Sequence, residues 1–548
     1  MRRGIAARGL IKAVVIVLLC AAWDYSTPPP LNNACYPRIQ TNPPQNKTTL
    51  KIGTTHKVKS ANLLLDPYLS LFAHISNPTL MKMDEDVRPV GQLVEKIGPS
   101  PNLESWALEL REGLFWSDGK KFTAADVKFS LEYMQEKYPP GGWLKKFISR
   151  IEIADEYELV IHLKQPYGRL DFEFMTYPML PKHIWEKIDA PLKYTNPGRN
   201  VGCGPFVIEE VDLNRGLVLF GNNPFWKGPQ PHIDGIEVHL YRNRDVLALA
   251  LEKGEVDVFY EYASSYPYPN LRRLRDNPDF GFLEKLNMGL YFLGWNLNNP
   301  PMSDLEFRNA VSYAIDYPEI LRIIALGNGL IPTLGFIPPS LPNYKELPAH
   351  EFNRDRAVQL LGEAGYQDSD EDGWREDLQG EDIQLELLID PARTSYARLS
   401  ELIQDYLQAV GLRVDIHAVE GSAWVNLKDN FRYDIILSRS TPWGMLMHAS
   451  YASGYFDARR TGEGVLHTVD DPTFLETCDK LLAAHDPATI AGLAHVLQDY
   501  YAAGLPAIPL FWNAIITPFN KKYSGWILDP LYGFYNIDNF LNIKSRRN

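Results

Sequence analysis

The chain has 548 residues, with 55 Lys and Arg against 68 Asp and Glu and a formal net charge of −13. That length exceeds what one hydrophobic core ordinarily serves and predicts roughly two to four domains. The acidic balance speaks against nucleic acid as the main partner, because phosphate binding needs a concentrated basic face, and it reads instead as a solvated surface.

At the N-terminus Arg2, Arg3 and Arg8 precede an apolar run from Leu10 to Trp23 that only Lys12 interrupts. The run is short for a membrane span, and Cys20-Ala21-Ala22 offers small residues for cleavage, so residues 1–22 read as a secretory signal. A lipid-modified Cys20 and an uncleaved anchor are the alternatives. Residues 23–48 are rich in Pro and Asn and lack periodicity, as in an extended tether. Beyond the signal, Cys35, Cys203 and Cys478 are odd in number and form no CxxC, so they mark neither a disulfide framework nor a zinc site, while one disulfide stays open.

The globular part is expected to begin with a strand at Leu50–Gly53, followed by Asp66-Pro67-Tyr68 in a loop. Trp106, Leu108 and Leu110 alternate with polar residues, predicting a half-buried strand before the Ser117-Asp118-Gly119 turn. Thr123 with Asp126 forms a capping-box pattern, and Val127, Leu131 and Met134 recur at helical spacing. Ile151–Leu163 reads as a hairpin turning at Asp155-Glu156, and Lys182–Ile188 as a short helix. In Val201-Gly-Cys-Gly-Pro-Phe206 the glycines supply backbone freedom and the proline fixes the next step.

Further on, Ser303 is the expected cap, with Glu306 as its partner, of a helix burying Phe307, Ala310, Val311, Ala314 and Ile315. Asn353 caps a helix ended by Gly365. A strand through Ile383–Ile389, a helix through Leu399–Val410 and a strand through Leu412–Ile416 compose a βαβ unit, with another strand at Tyr433–Leu437. A last helix, Ala488–Tyr501, leads to a strand at Ala507–Trp512 expected to return to the first domain.

The run LREGLFWSDGKKFTAADVKFSLEYM (Leu110–Met134) closely resembles the segment that marks extracellular solute-binding proteins of family 5, the binding proteins of peptide and nickel ABC importers. Val201–Phe206 is similar to the family's "GTGP-Y" motif, with Cys203 in place of threonine. Gly221–Tyr241 resembles "N-YW-G-P-ID-I", Gly254–Asp257 resembles "GeiDv", and Asn296–Asp316 resembles "N-PPF-D-RvRqAlsyAiD".

The resemblance implies a two-lobed α/β periplasmic-binding-protein-like fold with an extra inserted domain and a ligand cleft between the lobes. Its expected boundaries are 49–86, 200–289 and 506–548 for lobe I, 87–199 for the inserted domain and 290–505 for lobe II. The implied function is the binding component of an ABC importer that captures di- or oligopeptides outside the membrane and delivers them to a permease and ATPase complex. No cofactor, metal or nucleic acid is expected, a monomer is expected, and the membrane is met through the permease or an N-terminal anchor. A nickel or metal-chelate binder of the same family, a sensor acting through a receptor, and a secreted hydrolase are the alternatives. GxSxG, HExxH and Walker A patterns are missing from the sequence.

Ligand residues are expected first after the strand at Tyr433, at the carboxyl end of an α/β sheet, where ligands tend to sit. There Trp443 takes the place of a tryptophan that lines the family's pocket, and Arg439 and His448 are polar groups suited to a carboxylate. The aspartate with which peptide binders hold an amino group is replaced by Leu446, and the tyrosine of nickel binders by Met447. Tyr68 is expected at the cleft from the family's "DP" loop, and Tyr291 and Trp295 as apolar walls on the strand entering lobe II. Asp368, Asp370 and Asp372 copy the first half of a calcium loop, but Gln379 stands where the bidentate glutamate belongs, so a solvated acidic turn is the favoured reading.

Overall fold

The computed structural model describes residues 48–195, 200–349, 351–440, 456–460 and 468–546. Its organising element is Ala507–Asn520, a strand buried along almost its whole length. The first part of this strand pairs antiparallel with Tyr291–Trp295, from Tyr291 opposite Phe511 to Gly294 opposite Ala507. The second part pairs with Phe280–Leu286, from Leu286 opposite Ala514 to Phe280 opposite Asn520. One strand therefore serves two half-sheets. The chain crosses from one to the other at Asn513.

On one side of the crossing lies a βαβ unit. Gln384–Ile389 runs parallel to both Arg413–Ala418 and Ile435–Arg439, and Ile435–Arg439 pairs antiparallel with Tyr291–Trp295. The helix Thr394–Gln408 connects the first two, and Leu399, Ile403 and Leu407 are fully buried beside Leu387 and Ile435. On the other side, Thr49–Thr54 lies between parallel partners Gly235–Leu240 and Val258–Phe259. Leu50, Ile52, Ile236 and Val238 form its core with Phe72 and Phe540.

The Trp106 unit belongs to a separate four-stranded antiparallel sheet. Ser105–Leu110 buries Trp106, Leu108 and Leu110 and pairs with Glu158–Leu163. The following helix, Ala124–Lys137, starts as its capping pattern predicts, with the Asp126 carboxylate accepting the Thr123 amide at 3.0 Å.

Three local expectations are corrected. Asp66-Pro67-Tyr68 is the start of the helix Pro67–Ala73, not a loop: Asp66 Oδ1 caps the amides of Tyr68 and Leu69. Asp304 replaces Ser303 as cap of Leu305–Ala314, because its carboxylate accepts both the Glu306 amide and the Tyr366 hydroxyl. Gly202 and Gly204 serve close approach rather than backbone freedom: a Cβ would fall 2.1 Å from the Ser76 carbonyl and 2.2 Å from that of Ile75. Cys203 and Cys478 are both buried.

A candidate ligand cleft at the inter-lobe hinge

The crossing is built from amide side chains. The Asn287 backbone donates to the Asn513 carbonyl at 2.9 Å, and Asn287 Nδ2 donates to Asn513 Oδ1 at 3.0 Å and to the Ala263 carbonyl at 3.2 Å. Asn513 Nδ2 in turn donates to the Tyr268 hydroxyl at 3.2 Å. Where strands end and change partners, these side chains satisfy the backbone groups that no ladder can. Ala263 itself takes a left-handed φ of 52°, which turns its carbonyl toward the second lobe.

The first-lobe wall forms where Thr49–Thr54 ends. His56 stacks on Tyr68 with ring centroids 4.6 Å apart and an interplanar angle of 15°. The Tyr262 amide donates to His56 Nε2 at 2.9 Å, which leaves the ring proton on Nδ1, 3.8 Å from Glu261. Burial holds this imidazole below its ordinary value; Glu261 pulls the other way, and Arg244 and Arg439 add to the lowering. Glu261 is 3% exposed and accepts both the amide and the hydroxyl of Thr55 at 2.6 Å, with Arg244 4.0 Å away.

The second-lobe wall forms at the carboxyl ends of two neighbouring parallel strands. Arg439 ends Ile435–Arg439, in register with Tyr291. Tyr291 stacks on Phe511 at 4.4 Å and 8° and meets Tyr396 edge-on at 6.1 Å. Arg393 follows Gln384–Ile389, carries its guanidinium 5.7 Å from the Tyr396 ring centre and feels the hydroxyls of both Tyr291 and Tyr68. Burial raises the Tyr291 phenol, but Arg439, with Ser395 and Arg393, outweighs it and leaves the group below its ordinary value. The site is therefore a positive, aromatic-lined place. Arg439 also spans the two walls, since its Nη1 donates to the Ala263 carbonyl at 3.0 Å and to the Ser264 hydroxyl at 3.1 Å.

Of the residues singled out from sequence, Tyr68, Tyr291 and Arg439 come together here. Trp443 and His448 lie outside the described residues. Trp295 does not line the cleft: it is fully buried in the second-lobe core with Phe307 and Leu437, because the strand carries it four residues past the rim. Sequence reasoning missed His56, Glu261, Arg393, Tyr396 and Phe511. The rule that pointed to Arg439 applies equally to the parallel strand beside it, and there it finds Arg393. The acidic turn brings carboxylate oxygens of Asp368, Asp370 and Glu376 within 4.8 Å of one another. Its own amides use them, as Ser369 donates to Glu376 at 2.9 Å and Gly373 to Asp368 at 3.0 Å.

Residues 88–462 match the family model described as bacterial extracellular solute-binding proteins, family 5 Middle. The chain belongs to this family. It is similar to the oligopeptide-binding protein AppA of Bacillus subtilis, 25% identical over 361 residues, a match spanning 63% of this chain and 64% of that protein. It is also similar to the dipeptide-binding protein of Escherichia coli, 23% identical over 479 residues, covering 82% and 85% of the two chains. Among solved structures, a periplasmic oligopeptide-binding protein of an ABC transporter from Thermotoga maritima superposes with a TM-score of 0.80 at 22% identity, over 92% of this chain and 100% of that one. The mixed α/β binding-protein fold expected from the motifs is therefore the fold of this chain.

Proposed function

We propose that this family 5 protein is the solute-binding component of an ABC importer, capturing peptides outside the membrane and presenting them to a permease and ATPase complex. The observation that carries the reading is the inter-lobe cleft itself. Each lobe contributes a prepared wall, His56 and Tyr68 on one side and Tyr291, Tyr396, Arg393 and Arg439 on the other, and Arg439 reaches across to Ala263 and Ser264. A ligand held between them is enclosed when the lobes close, and it drives closure to the extent that it binds the closed form better than the open one. The relatives' peptide ligands support the ligand class, and the basic, then apolar, N-terminus supports export. In this role Tyr68, Tyr291 and Arg439 are ligand-facing residues, and no bond is made or broken.

Native mass spectrometry of the purified mature chain, followed by denaturation, tests the proposal. A released set of short peptides is the expected result, together with a fall in radius of gyration when peptide is added back. An empty chain that turned over peptide or glycan substrates would overturn it.

A further inference from the structure

A cavity lies apart from the inter-lobe cleft, where the helix Pro67–Ala73 meets the short strand Met81–Met83 and the turn that runs from Asp529 to Asn536. We infer that it is a site for a soft monovalent cation, of the Cu(I) or Ag(I) class, whose donors are the thioethers of Met81, Met83 and Met175 and the Nε2 of His74. It has room of about 30 Å³ for the centres of water-sized spheres. One water needs about 10–15 Å³, so the space suits an ion and not a peptide.

The backbone brings the sulfurs together. Met81 and Met83 are two apart on one strand and so share a face, buried, while Lys82 between them is half-buried. The Met81 amide donates to the Phe174 carbonyl at 3.3 Å, which sets Met175, also buried, beside them. The chain has ten methionines, and three of them line this one cavity. Thioethers alone would be ordinary packing, but His74 adds a polar donor. Its ring stacks on Tyr532 at 4.7 Å and 24° and meets Tyr535 edge-on at 5.5 Å. Nδ1 lies 2.6 Å from the Leu71 carbonyl; a carbonyl only accepts, so Nδ1 carries the proton and Nε2 the lone pair. Nε2 is buried and has no hydrogen-bond partner. Burial lowers the ring to about 4, against the Leu71 and Tyr535 carbonyls that favour its charged form, so the imidazole is neutral at physiological pH. A neutral imidazole whose far nitrogen is held by a carbonyl is the state in which histidine ligates a metal.

The rest of the wall favours a soft, singly charged ion. Asn536 Oδ1 accepts the Asn539 amide at 2.8 Å, and Gln92 Oε1 accepts the Thr79 hydroxyl at 3.0 Å. Lys82, which would repel a cation, is ion-paired with Asp538. Asp529 Oδ1 accepts the amides of Leu531 and Tyr532 at 2.6 and 2.7 Å, and its charge is offset by Lys285. Positive and negative groups therefore balance, and a divalent ion buried on neutral donors would carry an uncompensated charge at high cost. Three polarisable thioethers with one imidazole prefer Cu(I) to the harder Ni(II), Zn(II) or Ca(II).

The test uses the full mature chain with Cys35→Ser, since a thiolate outside the cavity would compete for the same ion. Cu(I) is titrated anaerobically against a chromophoric chelator, and Ag(I), which needs no reductant, is added to protein labelled with ¹³C at its methionine methyls. One Cu(I) per chain should be withdrawn from the chelator, with Ni(II) and Zn(II) in tenfold excess failing to displace it. Ag(I) should shift three methyl signals together. Met83→Leu and Met175→Leu conserve volume, and thermal melts establish that they fold. Each should weaken Cu(I) by about tenfold or more, because loss of even an outer partner of a ligand costs that much. His74→Phe should do the same, and the triple Met81→Leu, Met83→Leu, Met175→Leu variant should leave the copper with the chelator. Copper that stays with the chelator in the parent chain, that is held equally by the triple variant, or that yields to Ni(II) or Zn(II) would overturn the inference; each outcome leaves solute capture at the cleft untouched.

Discussion

Arg439 makes a measurable prediction before any ligand is added. Its two Nη1 bonds, at 3.0 and 3.1 Å, join the two walls, and as a clasp they must break when the lobes open. Hydrogen bonds to a charged group contribute about 1.5–3 kcal/mol each, but Arg439 is only partly buried and water competes for it in the open form. The Ala263 carbonyl also keeps its bond from Asn287, at 3.2 Å. We therefore assign about 2 kcal/mol to the clasp, which is about thirtyfold in the ratio of closed to open molecules. Arg439→Met should lower that ratio by this factor in the empty protein, and Ser264→Ala, which removes one of two acceptors, by about fivefold. Double electron–electron resonance between a spin label on each lobe reads both populations directly. Because the two residues touch, the double variant should fall short of the product of the singles. A closed fraction within twofold of wild type in Arg439→Met, or strict multiplicativity in the double variant, would refute the clasp.

The remaining predictions concern packing and buried charge. Gly204→Ala forces a Cβ to within 2.2 Å of the Ile75 carbonyl and should cost about 1–3 kcal/mol or more in urea unfolding; Gly98→Ala, which meets nothing within 4 Å, is the control, and equal midpoints would contradict the close-approach reading. Burial lowers Lys285 to about 8, opposed by Asp529, while its Nζ donates to the Asp529 and Pro530 carbonyls. Since the unfolded chain keeps this proton up to about pH 10.4, the Lys285 contribution to stability should rise with pH above 8, by at most about 1.4 kcal/mol per pH unit. Comparing wild type with Lys285→Met between pH 8 and 9.5 tests this, and parallel curves would contradict it. Trp295→Phe should lower stability by about 1–3 kcal/mol with peptide affinity unchanged, whereas Tyr291→Leu should lower affinity with little loss of stability; the opposite pattern in calorimetry and melting would reverse their places in the fold.

Much of the secondary structure was legible because local and tertiary demands agree. Trp106, Leu108 and Leu110 alternate and are all buried, and the capping pattern at Thr123 starts a helix where it should. The failures occur where a distant residue decides. Ser303 and Asp304 are both good caps, and the three-residue spacing to Glu306 favours Ser303, but the Tyr366 hydroxyl reaches Asp304 from 62 residues away and selects it. The glycines at 202 and 204 carry no sign of the Ser76 and Ile75 carbonyls that require them. Periodicity in the closing strand is likewise silent on its change of partner, because Ala507–Asn520 is buried on both sides of the crossing.

The cleft was legible in part for a different reason. A strand end is visible in sequence, and ligands gather at the carboxyl ends of parallel strands, so Arg439 could be found from its own neighbourhood. Its meaning could not, because the partners that give it one, Ala263 and Ser264, lie 176 and 175 residues away. The same holds for Glu261, an ordinary acidic residue in sequence whose Oε1 is taken by Thr55, 206 residues away. Whether a charged side chain is a ligand group depends on what is left over after the fold has used it. On that count Glu261 has committed one oxygen to Thr55 and Arg439 one nitrogen to Ala263 and Ser264, and it is the remainder, more than the presence of any one residue, that decides what the cleft can offer.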